Sequence, residues 1–214
     1  MPLVDIKLSI DGSDLPSDVR AFLCEAYLRV GQFVRNSPIR VSGFAPSGFA
    51  TVYQSMRAIV EAKIAPGNSF CEWGSGFGVV ASLATMLKFR GYGIEIERDL
   101  VDASQQLAHD FGLPVKFVHG SFIPPGDGAR ADEAYDNYTT GLSSLVTDAD
   151  NAYSELGLDP DDFDVFFAYP WPREEHVIEN LFARYAAEGA LLLTYNRFHS
   201  LRLRRKVGER SGGS

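Results

Sequence analysis

The chain has 214 residues, of which 45% are hydrophobic and 22% are charged, and its formal net charge is −8. This is the composition of a globular protein with one domain. Two cysteines, Cys24 and Cys71, are too few for a disulfide scaffold or a cysteine-rich zinc site, so we expect two buried thiols in a reducing compartment. The first residues lack a basic region followed by an apolar run, and no apolar stretch approaches the ~20 residues of a membrane span, which predicts a soluble, cytoplasmic protein.

The acidic residues are concentrated in one segment. Residues 124–162 carry a net charge of −9, and the rest of the chain sums to +1. Basic residues cluster near the C-terminus, where they predict a solvated edge strand, because charged side chains protect sheet edges. They are Arg197, Arg202, Arg204, Arg205, Lys206 and Arg210. No broad basic face is indicated, so we expect no nucleic acid partner.

Two helices are predicted near the N-terminus. Residues 1–15 look extended and irregular, and from Ser17 to Asn36 apolar side chains recur every three or four positions, as on one face of an amphipathic helix. A second apolar stripe begins at Phe49 and ends near Pro66. We expect these helices to form a cap over residues 1–67, which either covers the binding edge of a sheet or packs on its outer face.

From residue 68 onward, short strands alternate with helices. Strands are predicted at residues 69–73, 91–96, 114–119, 164–169, 190–196 and 201–207, and helices at residues 76–89, 98–111 and 174–187. This alternation predicts an α/β fold with a mostly parallel, twisted sheet of six to seven strands and helices on both faces. The sheet domain would span residues 68–214, include the acidic segment 124–162 as an insertion, and form one compact unit with the cap.

A glycine-rich loop follows the first of these strands, at the carboxyl end of the sheet, where open α/β folds bind ligands. Glycine at three alternating positions, Gly74, Gly76 and Gly78, permits positive φ and close approach of the backbone to a ligand. The free N–H groups of the helix that begins there suit a carboxylate or a phosphate. Glu95 lies 23 residues after Glu72, at the end of the second strand, where an acid can accept both hydroxyls of a ribose.

Two kinds of adenosine cofactor use a loop of this kind. A dinucleotide fingerprint requires glycine or alanine three residues after the second glycine, where this chain has Val79. The carboxylate of Glu72 would repel a pyrophosphate, but it suits the ammonium group of an amino-acid ligand. The loop therefore favours a cofactor with an amino-acid portion over a nicotinamide dinucleotide.

The loop resembles motif I of the class I S-adenosylmethionine-dependent methyltransferases, in which an acid precedes glycines at alternating positions. Residues 92–97, Tyr-Gly-Ile-Glu-Ile-Glu, are similar to the second-strand motif of that family, and the resemblance covers residues 68–196. It implies a Rossmann-like fold, S-adenosyl-L-methionine as cofactor, and methyl transfer. By this likeness Glu72 holds the methionine ammonium group, directly or through water. Glu95 holds the ribose hydroxyls, Ile96 packs on adenine, and the three glycines line the methionine and the ribose.

The chain departs from the family pattern in two places. Where the family often has Gly-Asp after the third strand, with the acid reaching the adenine amine, this chain has glycine followed by Ser121 and Phe122. The resemblance implies that the Ser121 hydroxyl or the backbone accepts that hydrogen bond and that Phe122 walls the ring. The family usually ends in a strand, a helix and two antiparallel strands. Here only residues 197–200 separate the last two predicted strands, so the sheet is expected to be one strand short.

The fourth strand ends in a rigid aromatic stretch with Tyr169, Pro170 and Trp171, which in the family faces the transferable methyl group. Aromatic faces there favour a sulfonium cation or a cationic acceptor, and we name the three as candidate substrate-binding residues. Many nitrogen-directed members carry Asp, Asn or Ser at this point, and this chain has none at residues 168–172, so the acceptor stays open.

A general base is optional for such a transfer, and Tyr169 and His199 are the catalytic candidates. The histidines show no metal spacing, and we expect no metal.

The acidic insertion is longer than most connections in compact domains. A solvated loop is the default interpretation. A lid that attracts a basic substrate, or a divalent cation held through Asp148 and Asp150, are the functional alternatives. A helix within it is indicated by apolar residues at Leu142, Leu145, Val146, Ala149 and Tyr153.

The leading hypothesis is an S-adenosylmethionine-dependent methyltransferase that acts on a small molecule or a protein side chain. The alternatives are a non-catalytic partner protein that binds an adenosyl ligand, and an aminopropyltransferase that uses a decarboxylated cofactor. The oligomeric state is not indicated by the sequence.

Overall fold

The computed structural model describes residues 2–10, 12–36, 47–124, 151–171, 174–196, 198 and 200–208. Seven strands lie in these ranges: β1 (Leu3–Ile6), β2 (Ser69–Trp73), β3 (Arg90–Glu95), β4 (Lys116–His119), β5 (Val165–Ala168), β6 (Leu191–Tyr195) and β7 (Leu201–Lys206). The helices are α1 (Ser17–Asn36), α2 (Phe49–Glu61), α3 (Val79–Met86), α4 (Arg98–Asp110), α5 (Ala152–Leu156) and α6 (Glu175–Tyr185), with one 3-10 turn at Pro160–Asp162. The predicted α/β fold is confirmed, and the predicted helices and strands differ from these bounds by a few residues at their ends.

The strands form one sheet in the order β1-β7-β6-β5-β2-β3-β4. Strands β2 to β6 are parallel, and β7 is antiparallel to both of its neighbours, β6 and β1. The strand order reverses at β2, since the chain runs outward from β2 through β3 to β4 and then returns to β5 on the other side. In open α/β sheets, ligands bind at the carboxyl edge beside such a reversal, which places the glycine-rich loop at the expected point.

Both faces of the sheet are covered. Side chains of α1, α2, α3 and α4 share one core with one sheet face, and side chains of α5 and α6 share a second core with the other. Strands β2, β5 and β6 are buried along their whole length, which explains why they were recognisable as continuous runs of mainly apolar residues.

Helix α1 extends from the end of α4 to the glycine-rich loop at the carboxyl edge of the sheet. At one end of α1, the ring of Phe22 meets that of Phe111 edge-on, with centroids 5.1 Å apart. Near the other end, Phe33 contacts Phe77 of the glycine-rich loop at 5.2 Å. The division of the chain at residue 67 stays a prediction.

The first strand was missed by the sequence analysis, which treated residues 1–15 as irregular. Strand β1 pairs with β7 from Leu3 opposite Lys206 to Ile6 opposite Leu203. It brings the sheet to seven strands, although the C-terminal part of the chain supplies one strand fewer than the family pattern. β1 has only four residues, with Val4 exposed at the sheet edge, so it carries too little apolar patterning to be recognised.

The prediction of a solvated basic edge strand is wrong for β7, because β1 covers it. Arg204 is buried and forms an ion pair with Glu179 of α6. Lys206 is also buried, and its ammonium group donates to the carbonyls of Arg184 and Ala186 at the end of α6. Burial lowers the pKa of Lys206. Lys206 therefore compensates the carbonyl end of α6, and Arg204 pairs with a carboxylate on the same helix, instead of facing solvent.

Part of the acidic insertion is packed, which makes the default interpretation of a solvated loop wrong for the helix α5. Helix α5 buries Tyr153, whose hydroxyl donates to the carbonyl of Phe122 at 2.8 Å, and Leu156 joins the same core. Of the residues that indicated a helix, Tyr153 lies in α5. Residues 142–149, together with Asp148 and Asp150, lie outside the described residues.

The expectation of two buried thiols is right for Cys71 and wrong for Cys24, which is exposed on α1. Burial raises the pKa of the Cys71 thiol, so it is a packing residue. Among the helices that the structure describes, none is long and apolar enough to cross a membrane.

The edge strand β1 gives the first prediction. Ile6 packs against the core and Val4 is half exposed on the same strand. Ile6→Asp should lower the free energy of unfolding by about 1–3 kcal/mol, because it places a charge in an apolar contact, whereas Val4→Asp should change it by less than about 0.5 kcal/mol. Chemical denaturation of both variants measures this, and equal losses would contradict the assignment of β1 as a packed strand.

Candidate functional site

The glycine-rich loop forms a tight turn between β2 and α3. All three of its alternating glycines have positive φ, at 68° for Gly74, 52° for Gly76 and 65° for Gly78. The turn is fixed by two backbone hydrogen bonds, from the N–H of Ser75 to the carbonyl of Ile94 at 2.9 Å and from the N–H of Gly78 to the carbonyl of Ser75 at 2.7 Å. The loop therefore has the conformation that the glycine spacing predicted, and it is tied to the neighbouring strand β3.

Two of these glycines have different surroundings. A Cβ atom on Gly78 would overlap the ring of Phe117 and would lie 2.8 Å from the Cβ of Ser104. A Cβ atom on Gly74 would meet nothing within 4 Å. Gly78 is thus required for packing of the loop against the protein, and Gly74 faces open space on the side where a ligand would approach.

Glu72 lies on β2 directly below the loop and is only 5% exposed. Its Oε2 atom accepts a hydrogen bond of 2.8 Å from the N–H of Ala81, in the first turn of α3. Burial raises the pKa of Glu72 well above its ordinary value, while the Ala81 hydrogen bond lowers it and the charge of Glu95 raises it further. Its electrostatic environment therefore disfavours the charged form as long as no cation is close to it.

Glu95 lies at the end of β3 and is 6% exposed. Its Oε2 atom accepts from the N–H of Gly76 at 2.7 Å, and its Oε1 atom accepts from the N–H groups of Ile96 and Glu97 at 2.8 and 3.0 Å. Burial raises the pKa of Glu95, and these backbone hydrogen bonds oppose the shift. The carboxylate thus connects the glycine-rich loop to the start of α4, and its side chain is directed at the loop and not into the core.

The residues that the resemblance assigned to adenine have local contacts. Ile96 is half-buried beside Glu95. The Ser121 hydroxyl accepts a hydrogen bond of 3.1 Å from the N–H of Ile123. The ring of Phe122 stacks on that of Trp73, with centroids 5.4 Å apart and 12° between the planes. One face of Phe122 is therefore covered by protein, and the contacts of these residues with adenine stay predictions.

The aromatic stretch after β5 lies at the carboxyl edge, two strands from β3. Tyr169 is half-buried and meets the ring of Tyr195 edge-on, with centroids 5.2 Å apart and planes at 90°. Pro170 is buried, and Trp171 is 40% exposed, with its backbone N–H donating to Oε2 of Glu174 at 3.0 Å. The proposed substrate residues are thus brought to one edge together.

Tyr169 is a poor candidate for a general base. Burial, followed by the neighbouring phenol of Tyr195, raises the pKa of Tyr169, so the hydroxyl is protonated at neutral pH and serves as a hydrogen-bonding group. His199, the other catalytic candidate, lies outside the described residues.

Two residues at this edge were missed by sequence reasoning. Tyr195 lies within the strand predicted at residues 190–196, and Gly48 directly precedes the apolar stripe that begins at Phe49. The signal that would have found Tyr195 is its position at the carboxyl end of a buried parallel strand, next to the strand that carries Tyr169. No comparable signal marks Gly48, because the packing of α2 brings it there.

The carboxylates of Asp159, Asp161 and Asp162 lie within 4.8 Å of one another and are exposed. Asp159 and Asp162 form the reciprocal hydrogen bonds of a capping box at the 3-10 turn, which accounts for their proximity. This cluster is therefore explained by local structure.

No protein-family model matches the chain, and no curated protein sequence matches it. Among solved structures, the fold is similar to that of an RNA methyltransferase from Salinibacter ruber in complex with S-adenosyl-L-homocysteine, with a TM-score of 0.51 and 17% identity over 79% of this chain and 98% of that chain. A methyltransferase from Geobacter sulfurreducens gives a TM-score of 0.50 and 16% identity over 91% of this chain and 92% of that chain. At these identities the likeness shows the fold alone. The chain has the Rossmann-like fold of these methyltransferases, which confirms the fold that the resemblance implied.

The glycine-rich loop gives the second prediction. Gly78→Ala combines a positive φ with an overlap on Phe117, whereas Gly112→Ala has a φ of 62° and open space around it. Gly112→Ala should lower the free energy of unfolding by about 1–2 kcal/mol, and Gly78→Ala should lower it by a further 1–3 kcal/mol, roughly the cost of overpacking. Thermal and chemical unfolding of the two variants measure the difference, and equal losses would show that Phe117 moves aside freely.

The buried carboxylate of Glu72 gives the third prediction. Because its pKa is raised in the folded chain, the folded state retains a proton that the unfolded state releases above pH ~4.5, and stability contributed by the group is lost as the pH rises from there. Glu72→Gln keeps an oxygen for the N–H of Ala81 and removes the charge. We expect the variant to have a higher melting temperature than the unmodified protein at pH 8, and the same one at pH 4, in the absence of ligand.

The matched control for this experiment is Glu97→Gln, which removes an exposed charge two residues from Glu95. Thermal unfolding over a pH series compares the three proteins. A Glu72→Gln variant that is less stable than the unmodified protein at pH 8 would contradict the electrostatic analysis.

Proposed function

We propose that the chain is an S-adenosyl-L-methionine-dependent methyltransferase. The observation that supports this most strongly is the pair of buried carboxylates, Glu72 and Glu95, on two neighbouring strands on either side of a turn of glycines with positive φ. Both carboxylates accept hydrogen bonds from backbone N–H groups. Within the described residues, no cationic side chain forms an ion pair with Glu72 or Glu95. A ligand with an ammonium group and a ribose would supply a cation to one carboxylate and hydroxyl donors to the other.

In this proposal Glu72 holds the methionine ammonium group, directly or through water, and Glu95 accepts the ribose hydroxyls. The glycines line the methionine and the ribose, and Gly74 has the open space that this requires. Ile96 packs on adenine, with Ser121 or the backbone beside it accepting from the adenine amine. Phe122 walls the ring with the face that is not stacked on Trp73.

When bound, the cofactor supplies a methyl group that is already activated by a sulfonium. The residues of this chain then have to align the acceptor and exclude water. Tyr169, Pro170 and Trp171 lie at the edge where they can do so, and Tyr169 contributes a protonated phenol. His199 remains the candidate for proton removal where an acceptor requires it.

We infer that the acceptor is a small molecule or a protein side chain and that the enzyme acts in the cytoplasm. The sequence indicates no broad basic face, which supports the absence of a nucleic acid substrate. The Salinibacter ruber neighbour is an RNA methyltransferase, so the tests include an RNA arm.

The fourth prediction concerns cofactor binding. S-adenosyl-L-methionine and S-adenosyl-L-homocysteine should bind in calorimetric titration, and NAD should not. Glu95→Ala should weaken binding by at least about 10-fold, because it removes hydrogen bonds to a charged acceptor, while Glu97→Ala should leave the affinity unchanged. Thermal unfolding of both variants without ligand separates loss of binding from loss of folding.

Transfer of a labelled methyl group to fractions of a cell extract then distinguishes an enzyme from a binding protein. Label in the small-molecule or protein fraction supports the proposal, and label in the RNA fraction contradicts its acceptor class. Binding of the cofactor with no label in any fraction favours the non-catalytic alternative. Transfer of an aminopropyl group from the decarboxylated cofactor would indicate the third activity.

A further inference from the structure

A cluster of tyrosines lies at the carboxyl edge of β5 and β6, on the side of the site opposite to the two carboxylates. In the parallel pairing of these strands Ala168 lies opposite Thr194, so Tyr169 and Tyr195 follow side by side. Both side chains belong to the core on the α1–α4 face, which is also the face of the glycine-rich loop. Their rings meet edge-on, and the contact fixes the orientation of Tyr169.

The N-terminal helices complete this cluster. Gly48 is the residue before α2, and a Cβ atom placed on it would lie 2.5 Å from the hydroxyl oxygen and 3.1 Å from Cζ of Tyr195. The φ of Gly48 is −73°, which any residue can adopt, so the absence of a side chain there is explained by the contact with Tyr195 and not by the backbone. The ring of Tyr27 on α1 contacts that of Phe49, the first residue of α2, at 5.2 Å.

The phenols of Tyr27 and Tyr169 are uncharged at neutral pH. Burial is the largest cause of the raised pKa of both Tyr27 and Tyr169, and a hydrogen bond from the backbone of Phe49 opposes it at Tyr27. Tyr195 is 2% exposed, whereas Tyr27 is 48% exposed and Tyr169 is half-buried. A ligand can therefore reach Tyr27 and Tyr169, while the buried ring of Tyr195 packs against Tyr169.

We propose that Tyr27 and Tyr169 form the acceptor subsite, that Tyr195 is a positioning residue held against Gly48, and that the acceptor is a small molecule with an amine and with no phosphate or carboxylate group. This inference rests on the proposed methyl transfer. Aromatic faces favour a cation and offer no charge to an anion. An amine that binds as the ammonium ion first gives one proton to water, and the neutral nitrogen then attacks. A hydroxyl acceptor would need a base, which a protonated phenol cannot supply.

The step is balanced without a further reactant. The lone pair of the amine nitrogen forms the new bond to the methyl carbon, and the bond between carbon and sulfur breaks with its electron pair remaining on sulfur. The positive charge passes from sulfur to nitrogen, and the amine proton then leaves to water. Both the initial and the final cation lie beside aromatic rings.

Binding of defined probes tests the acceptor class. Benzylamine, benzoate and a single-stranded RNA oligonucleotide are titrated by NMR into the full chain, with and without saturating S-adenosyl-L-homocysteine. We expect benzylamine to bind, benzoate to bind at least about 5-fold more weakly, and Tyr169→Leu to weaken benzylamine binding by at least about 5-fold. Tighter binding of benzoate or the oligonucleotide than of benzylamine, or benzylamine binding that is unchanged in Tyr169→Leu, overturns the proposal.

A double-mutant cycle tests the positioning role. Gly48→Ala should weaken benzylamine binding, because its methyl group displaces the Tyr195 hydroxyl, and adding Tyr195→Phe should restore most of the affinity because it removes the atom that is displaced. The control is Tyr53→Phe, which removes the phenol oxygen of a buried tyrosine on α2 and should have no effect on benzylamine binding. An equal loss in Gly48→Ala with and without Tyr195→Phe overturns the positioning role.

If the unmodified protein does not bind S-adenosyl-L-homocysteine, the proposed function is contradicted instead. The two failures are distinguishable, because the probe titrations are also run without that ligand.

Discussion

The structure depends on the burial of two carboxyl groups beside a turn that only glycine can form. Glu72 and Glu95 are both nearly inaccessible to solvent, and the raised pKa of each shows that burial outweighs the hydrogen bonds they accept. Backbone N–H groups at the start of α3 and α4 stabilise the carboxylates only in part. The free-energy cost of burying a carboxyl group is offset when a ligand brings a cation or hydrogen-bond donors to it. Electrostatically unfavourable groups concentrate at functional sites for this reason.

The sequence predicted those parts of the fold in which a residue's environment is reflected in its neighbours along the chain. β5 and β6 are short apolar runs because both faces of the sheet are covered, and α1 has an apolar stripe because one face packs. β1 was missed because its partner, β7, is almost 200 residues away, and its four residues have no pattern of their own. The same contact converts β7 from an edge strand into an interior one, so one missed strand also explains the wrong prediction for Arg204 and Lys206.

The candidate site likewise has one part that could be predicted from the sequence and one part that could not. The positions of Glu72, Glu95 and the glycines followed from spacing, because the loop and the ends of two adjacent parallel strands meet wherever such a fold forms. The contacts of Phe122 and Gly48 could not be predicted. They arise from α5 and α2, whose positions on the sheet are set by packing between elements distant in sequence. Sequence spacing therefore identified the residues to which we assign the cofactor, and the structure was needed to describe those to which we assign the acceptor.

The two halves differ in electrostatics in a way that fits the proposed reaction. Around β2 and β3 the site has buried carboxylates, and around β5 and β6 it has neutral aromatic rings. On the proposed function, Glu72 would hold the ammonium group of the cofactor, Glu95 would hold its ribose, and the rings would lie beside the group that is transferred. Methyl transfer removes the positive charge from sulfur and leaves the ammonium group unchanged. The attraction to the carboxylates is then the same before and after the reaction, whereas the attraction to the rings moves from the cofactor to the methylated amine. On the proposed function, the tyrosine cluster therefore distinguishes the substrate state from the product state. The N-terminal helices complete this cluster.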